Sequence, residues 1–255
     1  MSVDLLADTA ERFKRDTKDH EMTVLHEDGL YRHLRFRKPA GGYSEYWFDL
    51  VTWPGVLVIR GDMETFAFSR AEDMLAFFRE CGRVNPGYWG EKLLAPRSRD
   101  VRRYSEDKFR QIITETAAEN EAQWPGLGEA VEREFFGVMP TWDTSHEHPA
   151  REGLREFGFG DTWSASCACG EKTSGMTEDA AHRWRSGHIS DANTAPGRSH
   201  RSEVRRVAGF RFTDTWEWDL NDWTYQYLWC CHAIVFGIGL YDAAKAVETK
   251  EQADA

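Results

Sequence analysis

Tyr31-Arg-His-Leu-Arg-Phe-Arg37 decides how the N-terminal part of this chain folds. Polar and apolar residues alternate through it, the two-residue period of a strand with one dry and one wet face. Further strand-like runs surround it at Met22–His26, Tyr43–Thr52, Val56–Arg60 and Thr65–Ser69. Between them stand Asp28-Gly29, Pro39-Ala-Gly-Gly42, Pro54-Gly55 and Gly61-Asp62, the residue types of tight turns. Short strands joined this way predict an antiparallel meander. Tyr31, Leu34 and Phe36 do not share one parity, so either the register contains a bulge or the strand is partly misread.

Around the meander the period is helical. Leu5 to Lys18 reads as a short amphipathic helix. Ala71–Cys81 carries Met74, Leu75, Phe77 and Phe78 on one stripe and is closed by Gly82. Asn85–Gly90 reads as a turn. Ser105–Glu119 opens with a serine cap followed by Glu106 and Asp107, which suit the positive end of a helix. A further helix is expected over Gly128–Phe136, and another strand over Val204–Phe212. Trp223–Tyr241 holds no charged residue in 19 positions, the threshold length of a membrane span. Gln226, His232, two glycines, two cysteines and the lack of a flanking Lys/Arg cluster point instead to a buried helix. Asn221 or Asp222 would cap it, and Gly237 and Gly239 would let a neighbour approach closely. The fold class is therefore α+β: an N-terminal antiparallel meander packed by helices, including a buried aromatic C-terminal helix.

The 255 residues carry a formal charge of −11, 41% hydrophobic residues and 11 Trp, enough to build a substantial core. Such acidity repels nucleic-acid phosphate on average, so nucleic-acid contact would need a local patch. Five cysteines, an odd number, suit buried thiols in a reducing compartment rather than a disulfide framework. The N-terminus has early acids and no long apolar run, so it does not read as a signal peptide. A cytoplasmic location follows as the expectation.

Residues 140–204 differ: they are rich in Gly, Ser, Thr, His and Arg and poor in aliphatics. They read as a module inserted into a core domain formed by 1–139 and 205–255, with Asn193–Ser199 as a tether. Within them Cys167-x-Cys169-Gly170 is followed by His182 and His188. Two cysteines one residue apart can fold a knuckle, and a Thr177-capped helix would carry the histidines in a ββα-like layout. Cys167, Cys169, His182 and His188 would close a four-ligand structural zinc site, and His146 or His148 could replace a helical histidine. The metal would supply folding energy that so short a segment cannot obtain from burial. Arg183, Arg185 and Lys172 allow nucleic-acid contact, but such modules more often brace a loop or bind protein.

No catalytic set is legible. His146-x-His148 lacks an acidic partner at a useful spacing. Asp62 and Glu64, with Asp28 and His33, offer acid–base groups, but turn acids are usually solvated. Cys230-Cys231-His232 suggests a thiol–imidazole pair, yet neighbours on a helix face different directions. Trp216 and Trp218, in a tryptophan-rich stretch, are candidates for a partner surface.

Two resemblances add context. Trp163-Ser-Ala-Ser-Cys-Ala-Cys-Gly170 through Ala180-Ala-His-Arg-Trp184 to His188 resembles a C-x-C-G zinc-like segment of actinobacterial and actinophage proteins. Tyr31–Pro39, Tyr46–Gly55, Gly61–Arg70 and Asp222–Asp242 together resemble a family of uncharacterised tailed-phage and prophage proteins. The likeness implies a phage accessory protein in the bacterial host's cytoplasm. Together with the acidity, the aromatic density and the lack of a catalytic set, that context leads to the expectation of a non-enzymatic protein binding a host protein or small molecule to blunt defence or redirect metabolism. It leaves self-association open. An enzyme acting on nucleotides or nucleic acid, or a nucleic-acid-binding zinc protein, is the alternative.

Overall fold

The computed structural model of the chain describes residues 5–39, 45–192 and 201–253. In chain order the elements are α1 (Leu5–Thr17), β1 (Glu21–Asp28), β2 (Tyr31–Arg37), β3 (Phe48–Trp53), β4 (Val56–Gly61), β5 (Glu64–Phe68), α2 (Met74–Glu80), α3 (Pro86–Gly90), β6 (Leu93–Ala95) and β7 (Arg102–Tyr104). There follow α4 (Glu106–Asn120), α5 (Leu127–Val131), α6 (Glu147–Glu156), β8 (Thr162–Cys167), β9 (Lys172–Met176), α7 (Glu178–Ala192), β10 (Ser202–Val207), β11 (Asn221–Trp223) and α8 (Tyr225–Ala253). The fold is α+β. Packing divides it into a sheet unit, up to Tyr104 and again from Asn221, and a second unit, Ser105–Leu220.

In the sheet unit β1 to β6 form one antiparallel sheet in sequential order, the meander that the alternation of Tyr31–Arg37 predicts. The turns suit their residues: Gly55 sits at φ +85°, which a side chain would strain. The bulge lies not in β2 but opposite it. Val24 pairs with Leu34 and His26 with His33, leaving Leu25 extra in edge strand β1. Leu34 and Phe36 face the core while Tyr31 is exposed, so β2 keeps a single parity.

One sheet face is dry. Phe36, Leu50, Leu57, Ile59, Phe66 and Phe68 point to it and are closed over by α8, α1 and α2. Trp229 of α8 is fully buried, edge-on to Phe13 at 4.9 Å and to Phe48 at 5.8 Å. α8 is long and apolar enough to cross a membrane, but here Cys230, Cys231, Ala233 and Ile234 fill the core. Its start differs from expectation. Asn221–Trp223 pairs with Arg102–Tyr104 as a two-stranded ribbon, and Thr224 then accepts the first helical bond from Leu228. The two helix glycines also differ. A Cβ on Gly237 would lie 2.7 Å from Leu50 and 2.9 Å from Phe36, whereas one on Gly239 would meet nothing within 4 Å.

The other face holds a buried carboxylate. Asp49 is 0% exposed and takes hydrogen bonds from Arg35, Arg60 and His33 across three neighbouring strands. Burial pushes its carboxyl up, but the bonds from Arg35 and His33 outweigh that and hold it below the ordinary range.

The second unit has its own aromatic core. Phe109 of α4, Phe135, Phe157 and Phe212 pack in sequence, Phe109 edge-on to Phe135, with Phe135–Phe157 at 5.5 Å and Phe157–Phe212 at 5.3 Å. These contacts sew 105–139 and 205–220 to the segment between, so the boundaries read from composition at 139/140 and 204/205 fall inside one packed unit. Ser105 caps α4 through the Lys108 N–H, as its sequence predicts. The tether read at Asn193–Ser199 lies outside the described residues.

Two stability predictions follow from the sheet. Gly237→Ala should cost about 1–3 kcal/mol by overpacking, whereas Gly239→Ala should be neutral or stabilise by up to about 1 kcal/mol; urea unfolding distinguishes them. Asp49 titrates lower folded than unfolded, so its stabilisation is complete above about pH 4 and disappears as pH falls through the folded value. Asp49→Asn should therefore be less stable than wild type at pH 7, and the gap should close towards pH 2 in denaturant titrations.

Candidate metal centre

β8 ends on Cys167, and the chain turns back at once into β9. Cys167 N–H donates to the Glu171 carbonyl at 2.8 Å and Gly170 N–H to the Cys167 carbonyl at 2.9 Å. Gly170 takes φ +99°, the conformation this corner needs and one a side chain would resist. Sharp reversal at a C-x-C-G tetrapeptide brings both sulfurs to the same corner. Thr177 then caps α7 through the Ala180 N–H at 3.3 Å, and the helix carries His188 back to the corner.

Cys167, Cys169 and His188 offer ligand atoms that all lie within 4.8 Å of one another. His188 Nε2 is 3.2 Å from Cys169 Sγ, and its Nδ1 is 3.6 Å from the Glu171 carboxylate. The imidazole stacks on Trp184 at 4.7 Å, with the rings within 4° of parallel. Ring orientation is thus fixed from both sides, with Nε2 turned inward. Cys167 is buried, while Cys169 is partly exposed.

The thiols differ electrostatically. The Glu171 backbone N–H, Cys167 and His188 hold the Cys169 thiol below its ordinary range against the effect of burial. Cys167 receives the Cys169 backbone N–H, but burial and the neighbouring sulfur push its thiol up. Ser202 stands opposite Cys167 in the β10–β8 ladder, on the same face. Its buried Oγ has no hydrogen-bond partner among the described residues.

His182 does not join this cluster. It is exposed, with its ring 6.2 Å from that of Trp163. Six residues along a helix rotate a side chain by about 240°, so His182 and His188 cannot share a face. His146, just before α6, binds Ser145, and both it and His148 are exposed and outside the cluster. Arg183 and Arg185 are exposed on α7.

The other candidates separate. Asp28 pairs with Tyr31 at the start of β2, while Asp62 and Glu64 flank the β4–β5 turn beyond Gly61, whose partner Phe48 lies opposite Phe36 near the end of β2. They occupy opposite ends of the sheet, and His33 turns to Asp49 instead. Cys230 and Cys231 are buried, and burial pushes both thiols well above the ordinary range. His232 is likewise lowered by burial. These are core groups. Trp218 lines a cleft of about 610 Å³ with Trp124, Arg211, Phe212 and Asp214, and Trp216 is 76% exposed. Asp49, Arg35 and Arg60 went unrecognised in the sequence. The alternation that placed Arg35 on the wet face was their one signal.

The chain matches no protein-family model, no curated protein and no solved structure.

In metal-free protein at neutral pH, Cys169 should be alkylated by iodoacetamide at least about tenfold faster than Cys230 or Cys231. Peptide mass mapping over time would show it; equal rates would contradict the assigned environments.

Proposed function

We propose that the chain is a non-enzymatic binding protein in which zinc, held by Cys167, Cys169 and His188, braces the β8–β9 hairpin against α7. The gathering of two sulfurs and one imidazole nitrogen from a hairpin corner and a separate helix carries this reading. Two thiolates and one imidazole are the donor set zinc favours. The orphaned Ser202 hydroxyl beside Cys167 supports an additional polar occupant at the corner. Bound zinc would act as a cross-link whose binding energy is folding energy for the module. Cys167 and Cys169 would serve as thiolates, and His188 through Nε2. Glu171, facing Nδ1, would hold the tautomer that leaves Nε2 free to ligate. The cluster residues do not line the Trp218 cleft, which fits a bracing role better than a catalytic one.

Binding is assigned to the aromatic side of the same unit. Trp218 with Phe212 and Arg211 offers apolar surface and a cation in one cleft, and Trp216, two residues before Trp218, is itself exposed. Such a surface suits a host protein segment or a small planar molecule. The resemblance of the flanking sequence to tailed-phage proteins supplies the setting, a bacterial cytoplasm in which the partner belongs to a defence or metabolic system.

Elemental analysis of the purified chain should find one zinc per molecule. Cys167→Ser and His188→Ala should lose it, and His182→Ala should keep it. Metal that survives His188→Ala and leaves with His182→Ala would overturn the ligand assignment. Turnover of nucleotides or nucleic acid by the purified chain alone would overturn the non-enzymatic reading.

A further inference from the structure

The wet face of the six-stranded sheet carries a second cluster, unrelated to the metal centre. Asp49 Oδ1 accepts from Arg35 Nε at 2.8 Å. Its Oδ2 accepts from Arg35 Nη2 at 2.9 Å and Arg60 Nε at 3.2 Å, and His33 Nε2 lies 3.0 Å from the same oxygen. These contacts saturate the buried carboxylate. They do not saturate the cations. Both terminal nitrogens of Arg60 and Nη1 of Arg35 have no hydrogen-bond partner among the described residues, nor has His33 Nδ1. The Arg60 side chain is 50% exposed. Trp47 lies 5.5 Å from each guanidinium, so an aromatic ring holds both in place.

Two guanidiniums share one carboxylate, which leaves an excess positive charge on a protein of formal charge −11. Glu21, on the edge strand, stands opposite Arg37 rather than this pair, and Asp62 is engaged by the Tyr46 N–H. Neighbours on the same face are Thr23, Val51, Val58 and Thr65, none of which offers a carboxylate.

We propose that Arg35, Arg60 and His33 form a binding site for the phosphoryl group of a small phosphate monoester. Arg35 grips both Asp49 oxygens and Arg60 shares Oδ2 with it, so the two guanidiniums meet at one carboxylate and their free N–H edges stand within reach of one tetrahedral oxyanion. Forked donors already fixed by Asp49 and Trp47 lose little freedom on binding, the arrangement in which arginine recognises phosphate best. Asp49 is a positioning residue: it aims the donors and does not touch the ligand. The site is a few side chains wide and set in an acidic protein, which favours a single phosphoryl group over a nucleic-acid polyanion.

Phosphorus NMR and calorimetry of the full chain, with inorganic phosphate and phenyl phosphate as probes, test this. Both probes should bind, sulfate should compete, and chloride at equal ionic strength should not. Arg60→Gln leaves Asp49 two partners, and should weaken binding about tenfold or more, the loss of one charge-assisted contact. In the unmutated chain, the labelled side-chain nitrogens of Arg35 and Arg60 should shift on adding phosphate. The proposal fails if neither probe binds at about 10 mM, far weaker than a specific site requires. It also fails if Arg60→Gln binds as wild type, if other arginines shift while these two do not, or if an oligonucleotide binds and the small probes do not.

Discussion

The sheet unit depends on a close approach between a helix backbone and a sheet. At Gly237, α8 comes so near Leu50 and Phe36 that a single methyl group would collide with both. A helix lying this flat must be apolar along the contact, which accounts for the charge-free run from Trp223 to Tyr241. It also accounts for the inert thiols. Cys230 and Cys231 lie in the same buried run, and burial leaves them protonated. Burial of Trp229, worth about 1.5–3 kcal/mol or more on the scale of large apolar side chains, completes the seam with Phe13 and Phe48.

With one face sealed in this way, everything polar in β2, β3 and β4 is forced to the other. There Asp49 sits beneath two arginines and a histidine, in the one arrangement that keeps a buried carboxylate ionised. The two units thus carry different chemistry. The sheet offers fixed cations above a buried anion. The second unit offers soft sulfur ligands at a hairpin corner and an aromatic cleft.

Much of this could be read from the residues, and the failures have identifiable causes. Strand period and turn dipeptides gave the meander, because a two-residue alternation is a local property that packing rarely overrides. Ser105 and Thr177 mark helix starts because a cap is also local. The parity conflict in Tyr31–Arg37 was a misreading, since Tyr31 simply faces solvent; the bulge at Leu25 lies in the partner strand, where no parity signal pointed to it. The boundary of the second unit was hidden because its core is built from phenylalanines scattered from Phe109 to Phe212. In the metal cluster the C-x-C-G corner was plain. Choosing between histidines needed helical phase, which sets His182 and His188 on different faces. The Asp49 cluster was invisible because its members come from three strands and only register brings them together.

The short β7–β11 ribbon has a topological consequence. Tyr104 and Asn221, the residues at which the chain leaves the sheet unit and comes back to it, are direct ladder partners, and Ser105 N–H still bonds the Leu220 carbonyl at 2.9 Å. A tight hairpin could bridge that gap, so the 116 residues from Ser105 to Leu220 leave and rejoin the sheet unit at one pair of facing residues. The ribbon therefore fixes the distance between the two ends of the intervening chain, whatever its length.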